Sequence, residues 1–253
     1  MLQRINWPGL IFMAALLLAW EVSARSVASP AYPGLLAVVH ALVVDLPAFT
    51  SEIGVTLARA AAGFALALMT MLPLGMFIGR TPKIGQYLEP IIDLLRPLPP
   101  LAIVPVAMLF AGTGSAAKIC VIFYSASFPL LINAIDATRS THPMLVNVGR
   151  SIGLTRLEIM RHIDLPAALP QIMSGVRLSV ALSVLISVSS EMLLSTDGLG
   201  NYLMRAQEQF QIAGGLAAIV LIALVSLVIN TVVRHVEQWL LAWHHARQGL
   251  ARG

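Results

Sequence analysis

Glu191 is the side chain in this sequence whose chemistry most needs an explanation. It closes the run SGVRLSVALSVLISVSSE, in which Ser179, Ser183 and Ser187 precede it at intervals of four. That spacing sets the four residues on a slowly rotating stripe of one helix face, and Ser190 widens it. Two readings stand. The serines pack helices tightly, because small residues let backbones approach and hydroxyls bond across the contact. Alternatively the stripe lines a water-filled route. A carboxylate in an apolar span is costly unless it is paired or wetted, so Glu191 is a functional candidate, with an arginine near the outer end of its span as the structural alternative. Arg96 is the positive charge set most deeply in an apolar run, beside Pro97, Pro99 and Pro100. It either attracts an anionic substrate or neutralises Asp93 and Glu89, one helical step away. The candidates for a pathway or gate are therefore Arg96, Ser179, Ser183, Ser187 and Glu191. Asn133 and Asp136 are further gate or packing groups, and Gly63 and Ala67 read as close helix contact.

Catalytic chemistry finds no comparable footing. A phosphate-binding loop needs glycines before its lysine, but Lys83 follows Pro82 and Lys118 follows Ala117. The histidines, including the His244–His245 pair, lack zinc-hydrolase spacing, and no GxSxG elbow occurs. Cys120 is the only cysteine, so neither an internal disulfide nor a Cys-rich metal site is expected. The sequence predicts no catalytic residue, no metal site and no cofactor bound by this chain.

The long polar segment NVGRSIGLTRLEIMRHIDLPAALP, Asn147 to Pro170, reads as a bent helical knob. His142-Pro143 can open a short helix, since proline at the first helical position loses little. Gly153 suits its C-terminal turn. Thr155-Arg156-Leu157-Glu158 fits a capping box that starts a second helix, which Asp164-Leu165-Pro166 is expected to end. Arg150, Arg156 and Arg161 charge the knob, while Leu154, Leu157 and Met160 are available for burial. A rigid, partly apolar knob fits a groove on a moving partner; an ordinary capped hairpin loop is the plain alternative.

These groups must be held by membrane helices. Hydrophobic residues make up 58% of the 253 and charged residues 11%, against roughly 25% charged in soluble proteins. Six spans are predicted: 7–24, 56–79, 90–111, 118–135, 171–194 and 214–233. Pro97, Pro99, Pro100 and Pro105 must break the third, which lipid tolerates only where protein or water surrounds the break. The stretch 29–52, punctuated by Pro30, Pro33 and Pro47, holds a short amphipathic helix instead of a span. The first run is expected to be an uncleaved helix, because Glu21 and Arg25 crowd any signal-cleavage site. The net charge of +4 reflects loop topology, not nucleic acid. Arg4, Arg80, Lys83, Arg139, Arg150, Arg156, Arg161, Arg234, Arg247 and Arg252 fall on one side. Arg25, Arg59, Lys118 and Arg205 fall on the other, which puts both termini inside. No internal repeat is evident.

The knob resembles the cytoplasmic docking loop of the membrane subunits of binding-protein-dependent ABC importers. Those carry Glu-Ala-Ala, then Gly, then Ile-x-Leu-Pro. This chain matches at Gly153, Ile163, Leu165 and Pro166 and departs at Asn147-Val148-Gly149. LLRPLPPLAIVPVAMLFAGTG, SGVRLSVALSV and SSEMLLSTDGLG are similar to the sulfonate, taurine and nitrate branch, over roughly residues 54–236. The resemblance implies an all-α, type I importer permease fold of six transmembrane helices in the inner membrane. It implies residues 1–50 as first helix and outer linker, 51–238 as the permease domain with its docking loop at 138–170, and 239–253 as a cytoplasmic tail. It assigns ATPase docking to Gly153, Leu154, Thr155, Arg156, Leu157, Ile163, Leu165 and Pro166. The partners it implies are a second copy, two ATPase subunits that use ATP and Mg, an external solute-binding protein and membrane lipid. The segment from Asp197 to Phe210 is either a rim for the binding protein or an interfacial loop on lipid headgroups. The competing function is an ion-coupled secondary transporter with Glu191 as proton carrier.

Overall fold

The computed structural model describes residues 7–27 and 29–242, all in helices and short connections. The long helices are α1 (Trp7–Val27), α3 (Leu46–Arg80), α6 (Ser115–Ser140), α9 (Leu165–Leu194) and α11 (Ile212–Leu240). Each is long and apolar enough to cross a membrane. A further crossing, the third in chain order, is broken. Helix α4 (Pro82–Leu95) meets a 3-10 turn (Pro100–Ile103) and α5 (Val104–Ala111) at an 89° bend. Its entrance follows Arg80, which pairs with Asp164 at the knob end of the bundle. Its exit leads to Ser115, which bonds Arg59 at the far end. The bent pair therefore traverses the bundle and does not double back.

Several helix ends differ from the sequence expectation. Helix α3 starts ten residues before the predicted Thr56, because Pro47 falls in its first turn, where no backbone donor is needed. The third crossing starts at Pro82, not at residue 90, since Pro90 is tolerated inside α4. Helix α11 runs to Leu240, past Val233. The remainder of the expected tail, 243–253, lies outside the described residues, as do Arg4, Arg247 and Arg252. The short helix expected in the second stretch is α2 (Leu35–Val44), but it is apolar nearly all round, with His40 its single polar side chain, and not amphipathic.

The packed centre is α3 against α6 and α6 against α9. Small residues set the spacing. Gly63 lies under Ile122, Ala67 is fully buried, and Gly79 abuts Thr138 and the Ile135 carbonyl. At Gly75 even a Cβ would sit 2.7 Å from both Ala134 Cβ and the Leu131 carbonyl oxygen. On the other side of α6, Gly175 of α9 presses on Asn133 and the Pro129 carbonyl. Such contacts give dispersion attraction between backbones, which drives helix association where lipid is as apolar as the side chains. Helix α1 lies outside this centre and is mostly exposed.

Gly75→Val is expected to destabilise the chain in detergent by about 1–3 kcal/mol through overpacking. Thermal unfolding checks it; an unchanged midpoint would mean that α3 and α6 are free to separate.

Candidate functional site

The bundle has a worked site at each end. At the far end, Glu191 is completely buried in α9 and accepts three hydrogen bonds. Thr56 Oγ1 of α3 donates to Oε2 at 2.7 Å. Arg59 Nη1, also of α3, donates to Oε1 at 3.0 Å. The Gly200 amide donates to Oε2 at 3.2 Å. Arg59 reaches onward, through Nη2 to Asp197 Oδ1 at 2.7 Å and through Nε to Ser115 Oγ of α6 at 3.1 Å. Asp197, outside the spans, is held below the usual carboxylate range chiefly by its hydrogen bond from Arg59. Lys118 of α6 is buried nearby, within electrostatic reach of Arg59, Asp197 and Glu191. Two cations thus face two carboxylates, which is how a low-dielectric site keeps its charges.

The chain reaches this cluster through Asp197-Gly198-Leu199-Gly200. Gly198 has φ +95, a region that side chains avoid, and a Cβ there would collide with the Glu191 carboxyl. At Gly200 a Cβ would meet the Val188 carbonyl. The loop opens α10 (Leu199–Glu208), whose first amides cap side chains: Gly198 N–H donates to Glu52 and Leu199 N–H to Thr56 Oγ1. Tyr202 donates to Asp45 Oδ2 at 2.5 Å. Its phenol is pushed up to about 12 by burial and by that bond.

The serine stripe serves packing in this conformation. Ser179 bonds the Ala126 carbonyl of α6, Ser187 the Thr56 carbonyl of α3, and Ser183 its own helix at Ser179. All three are essentially unexposed. Ser183 backs only an apolar groove of about 270 Å³, lined by Leu57, Ala60, Phe64, Val180 and Ile229 among others. Arg96 is elsewhere, exposed at the break of the third crossing. It borders a cavity of about 220 Å³ with Asp93, Asp136, Glu89 and Arg139. Glu89 pairs with Arg139 at 2.6 Å and not with Arg96 as the sequence suggested. No described side chain bonds the Arg96 guanidinium. The expectation that Arg96 is the deepest positive charge also fails, because Arg59, counted as an outer-loop charge, is buried. Its position only three residues into the predicted second span was the available signal. Arg177 pairs with Glu237 between α9 and α11.

At the opposite end the knob is built as its residues suggest. His142 caps α7 (Pro143–Ser151), accepting from the Met144 amide. Gly153 has φ +83, and the Leu154→Gly149 and Gly153→Arg150 backbone bonds close the helix end. Thr155 and Glu158 form the reciprocal capping box of α8 (Arg156–Ile159). Gly149, third in the divergent triplet, is needed for packing: a Cβ there would lie 2.6 Å from Ile163 Cδ1. One expectation is corrected. Leu165-Pro166 does not end the second helix. A π-helical turn (Met160–Asp164) carries it into α9, where Pro166 occupies a first-turn position. Asp164, fully buried in that turn, pairs with Arg80 at the end of α3, so the knob is tied to two crossings.

The exposed face of the knob is apolar. Leu157 is exposed as expected, but Leu154 and Met160 are half-buried within the knob. Met144, Val148 and Ile152, at i, i+4 and i+8 on α7, extend the exposed patch. Their spacing of four is legible in the sequence, but the polar residues between them mask it. Arg150, Arg156 and Arg161 border it.

A six-crossing helical bundle with a bent helical knob between its fourth and fifth crossings is the architecture of a permease of the ABC importer class. The chain belongs to the family of binding-protein-dependent transport system inner membrane components, which matches residues 71–242. It is therefore a multi-pass inner-membrane protein. It is 30% identical over 262 aligned residues to a provisionally named aliphatic sulfonates transport permease of Bacillus subtilis, covering 98% of this chain and 91% of the relative. It is 28% identical over 193 residues to the taurine transport system permease TauC of Escherichia coli K12, covering 76% and 70%. Further relatives bear the names of bicarbonate and nitrate permeases. Among solved structures, the inward-facing MetNI methionine ABC transporter matches with a TM-score of 0.66 at 19% identity, over 75% of this chain and 94% of that one. That likeness shows the fold.

Arg59→Met leaves Glu191 buried without its cation and is expected to cost about 3–5 kcal/mol. The double variant Arg59→Met/Glu191→Met is expected to recover most of that loss. Denaturant unfolding of both in detergent checks the coupling; a double variant no better than the single one would sink it.

Proposed function

We propose that this chain forms the translocation pathway of an importer for small anions and is driven by ATP hydrolysis in a separate subunit. The observation that carries the reading is the knob: an exposed apolar patch on a rigid element, continuous with α9 and ion-paired to α3. Force applied there by an ATPase groove moves two crossings together. The docking-loop side is then cytoplasmic; α1 runs from it to the far end, where Glu21 meets Leu36, and α11 runs back toward it, which accords with inside termini.

Two copies assemble, and the broken crossing supports where they meet. Residues 96–99 are exposed, Pro97, Pro99 and the adjoining Pro100 lack the N–H groups that would continue a helix there, and lipid cannot satisfy such backbone. That face therefore turns to the second copy and a wet route. Arg96, beside Asp93 and Asp136, gives the route a cation whose pull on an anion is offset by nearby carboxylates. Binding weak enough to release suits transit. Sulfonate, taurine, nitrate or bicarbonate are the substrate classes that the relatives' names suggest, with selection by an external binding protein. The Glu191 cluster clamps the outer ends of α3, α6 and α9, and ATP-driven motion of the knobs opens it. The structure speaks against a proton-carrier role for Glu191, because a guanidinium and two further donors hold its fully buried carboxylate.

In liposomes the chain alone is expected neither to hydrolyse ATP nor to concentrate solute, and addition of its ATPase and binding protein restores both. Solute uptake by the lone chain, driven by a proton gradient and abolished by an ionophore, would overturn the reading. Ile152→Asp places a charge in the exposed patch and is expected to lower co-purification of the ATPase at least tenfold, with membrane insertion unchanged. Undiminished recovery of the ATPase would remove α7 from the docking surface.

A further inference from the structure

Lys118 is a buried charge that no neighbour answers directly. It is 5% exposed and lies in the first turn of α6, which holds no acidic residue. A helix N-terminus is the end that least favours a cation. Arg59 takes the direct bonds to both nearby carboxylates, Glu191 and Asp197. These three groups act on Lys118 only through space, and no described group accepts a hydrogen bond from its ammonium. An ammonium has three donors, and leaving them unmet in a buried site is costly. Packing does not account for this lysine, since an apolar residue would fill the same space without that penalty.

The side chain borders a crevice between the broken crossing and the packed centre. Met108 of α5, Val121 of α6 and Ser190 of α9 line it, with exposed Thr113 at its edge. The Ser190 hydroxyl donates only within its own helix, to the Ser187 carbonyl, and Thr113 bonds no described group. In this conformation the crevice has no room for a water molecule. Helix α5 joins α6 through Gly112-Thr113-Gly114, and a Cβ at either glycine would meet nothing within 4 Å. Packing at that joint therefore does not oppose a swing of α5 away from α9.

We infer that Lys118 is the outer anion subsite of the route: when α5 parts from α9, its ammonium, with the hydroxyls of Ser190 and Thr113, takes the oxyanion group of a small monovalent solute. The inference rests on the importer reading. A lysine suits brief capture, because its hydrated ammonium acts as a point charge and lacks the rigid fork by which arginine grips an oxyanion. Glu191 and Asp197 offset its pull, so the solute is held weakly enough to move on. Lys118 stands about 27 Å along α6 from Asp136, which borders the cavity of Arg96. The two cations thereby mark an outer and an inner station of one route.

The test uses the transporter assembled in nanodiscs with its ATPase and solute-binding protein, the chain carrying Val121→Cys in a Cys120→Ser background. Val121 shares the crevice wall with Lys118, one turn away. Two methanethiosulfonate reagents of similar size are compared, one bearing a sulfonate and one a trimethylammonium, each rate taken relative to a free thiol in solution. Without nucleotide, neither is expected to react. In the vanadate-trapped complex, where the outer end is open, the sulfonate reagent is expected to react about tenfold or more faster than the ammonium reagent, and added methanesulfonate to slow it. Lys118→Met is expected to abolish the preference and Lys118→Arg to keep it. Were Lys118 only a counter-charge for the two carboxylates, the field in the crevice would be near neutral and neither reagent favoured. Equal relative rates in the trapped complex therefore overturn the proposal. So does a cysteine that reacts in neither state, or a preference that survives Lys118→Met. An assembly whose ATPase the binding protein does not stimulate, and which vanadate does not trap, overturns the importer reading, and the subsite falls with it.

Discussion

A carboxylate with no access to water must be compensated from within the chain, and Glu191 imposes that demand on everything around it. Three donors meet it, two from α3 and one from the first turn of α10. Arg59, itself buried, then needs Asp197 and Ser115 for its remaining N–H groups. Gly198 and Gly200 are required because the loop must come within reach of the carboxyl, closer than any Cβ permits. The far ends of α3, α6, α9 and α10 are thereby fixed by one charge cluster. Such a cluster adds little net stability over an apolar replacement, but breaking one partner is costly. It suits a joint that must hold in one state and part in another.

Between the two ends, the bundle divides its labour. Where α3, α6 and α9 touch, glycines and serines bring backbones together, and the unit behaves as a block. Where the third crossing breaks, prolines expose backbone that neither the block nor lipid can satisfy. On the proposed function, the rigid part is what transmits motion and the irregular part is the polar, adaptable surface of the solute route.

On the proposed function, motion enters that block through the knob. Its two caps hold the bend, and the π-helical turn removes any flexible joint between α8 and α9. The buried Asp164 bonded to Arg80 adds α3 to the same rigid connection. A push on the apolar face of α7 consequently acts on the helices that carry Arg59 and Glu191 at the other end, a span of about 45 Å along α9.

The sequence by itself determined the class, the number of crossings, the broken third crossing and both helix caps of the knob. Each of these depends on local chemistry: apolar run length, missing proline donors, Gly153 at a left-handed turn, Thr155 three residues before Glu158. It also marked Glu191 as needing an arginine without saying which. Only the tertiary structure decided that the partner is Arg59, that Arg96 and Glu89 are not paired, that the serine stripe faces helices, and that Leu165-Pro166 continues a helix. Partners 132 positions apart in the chain leave no mark on local periodicity. Whether a stripe meets water or a neighbouring backbone depends on which helices lie beside it, and that is set by packing across the whole bundle.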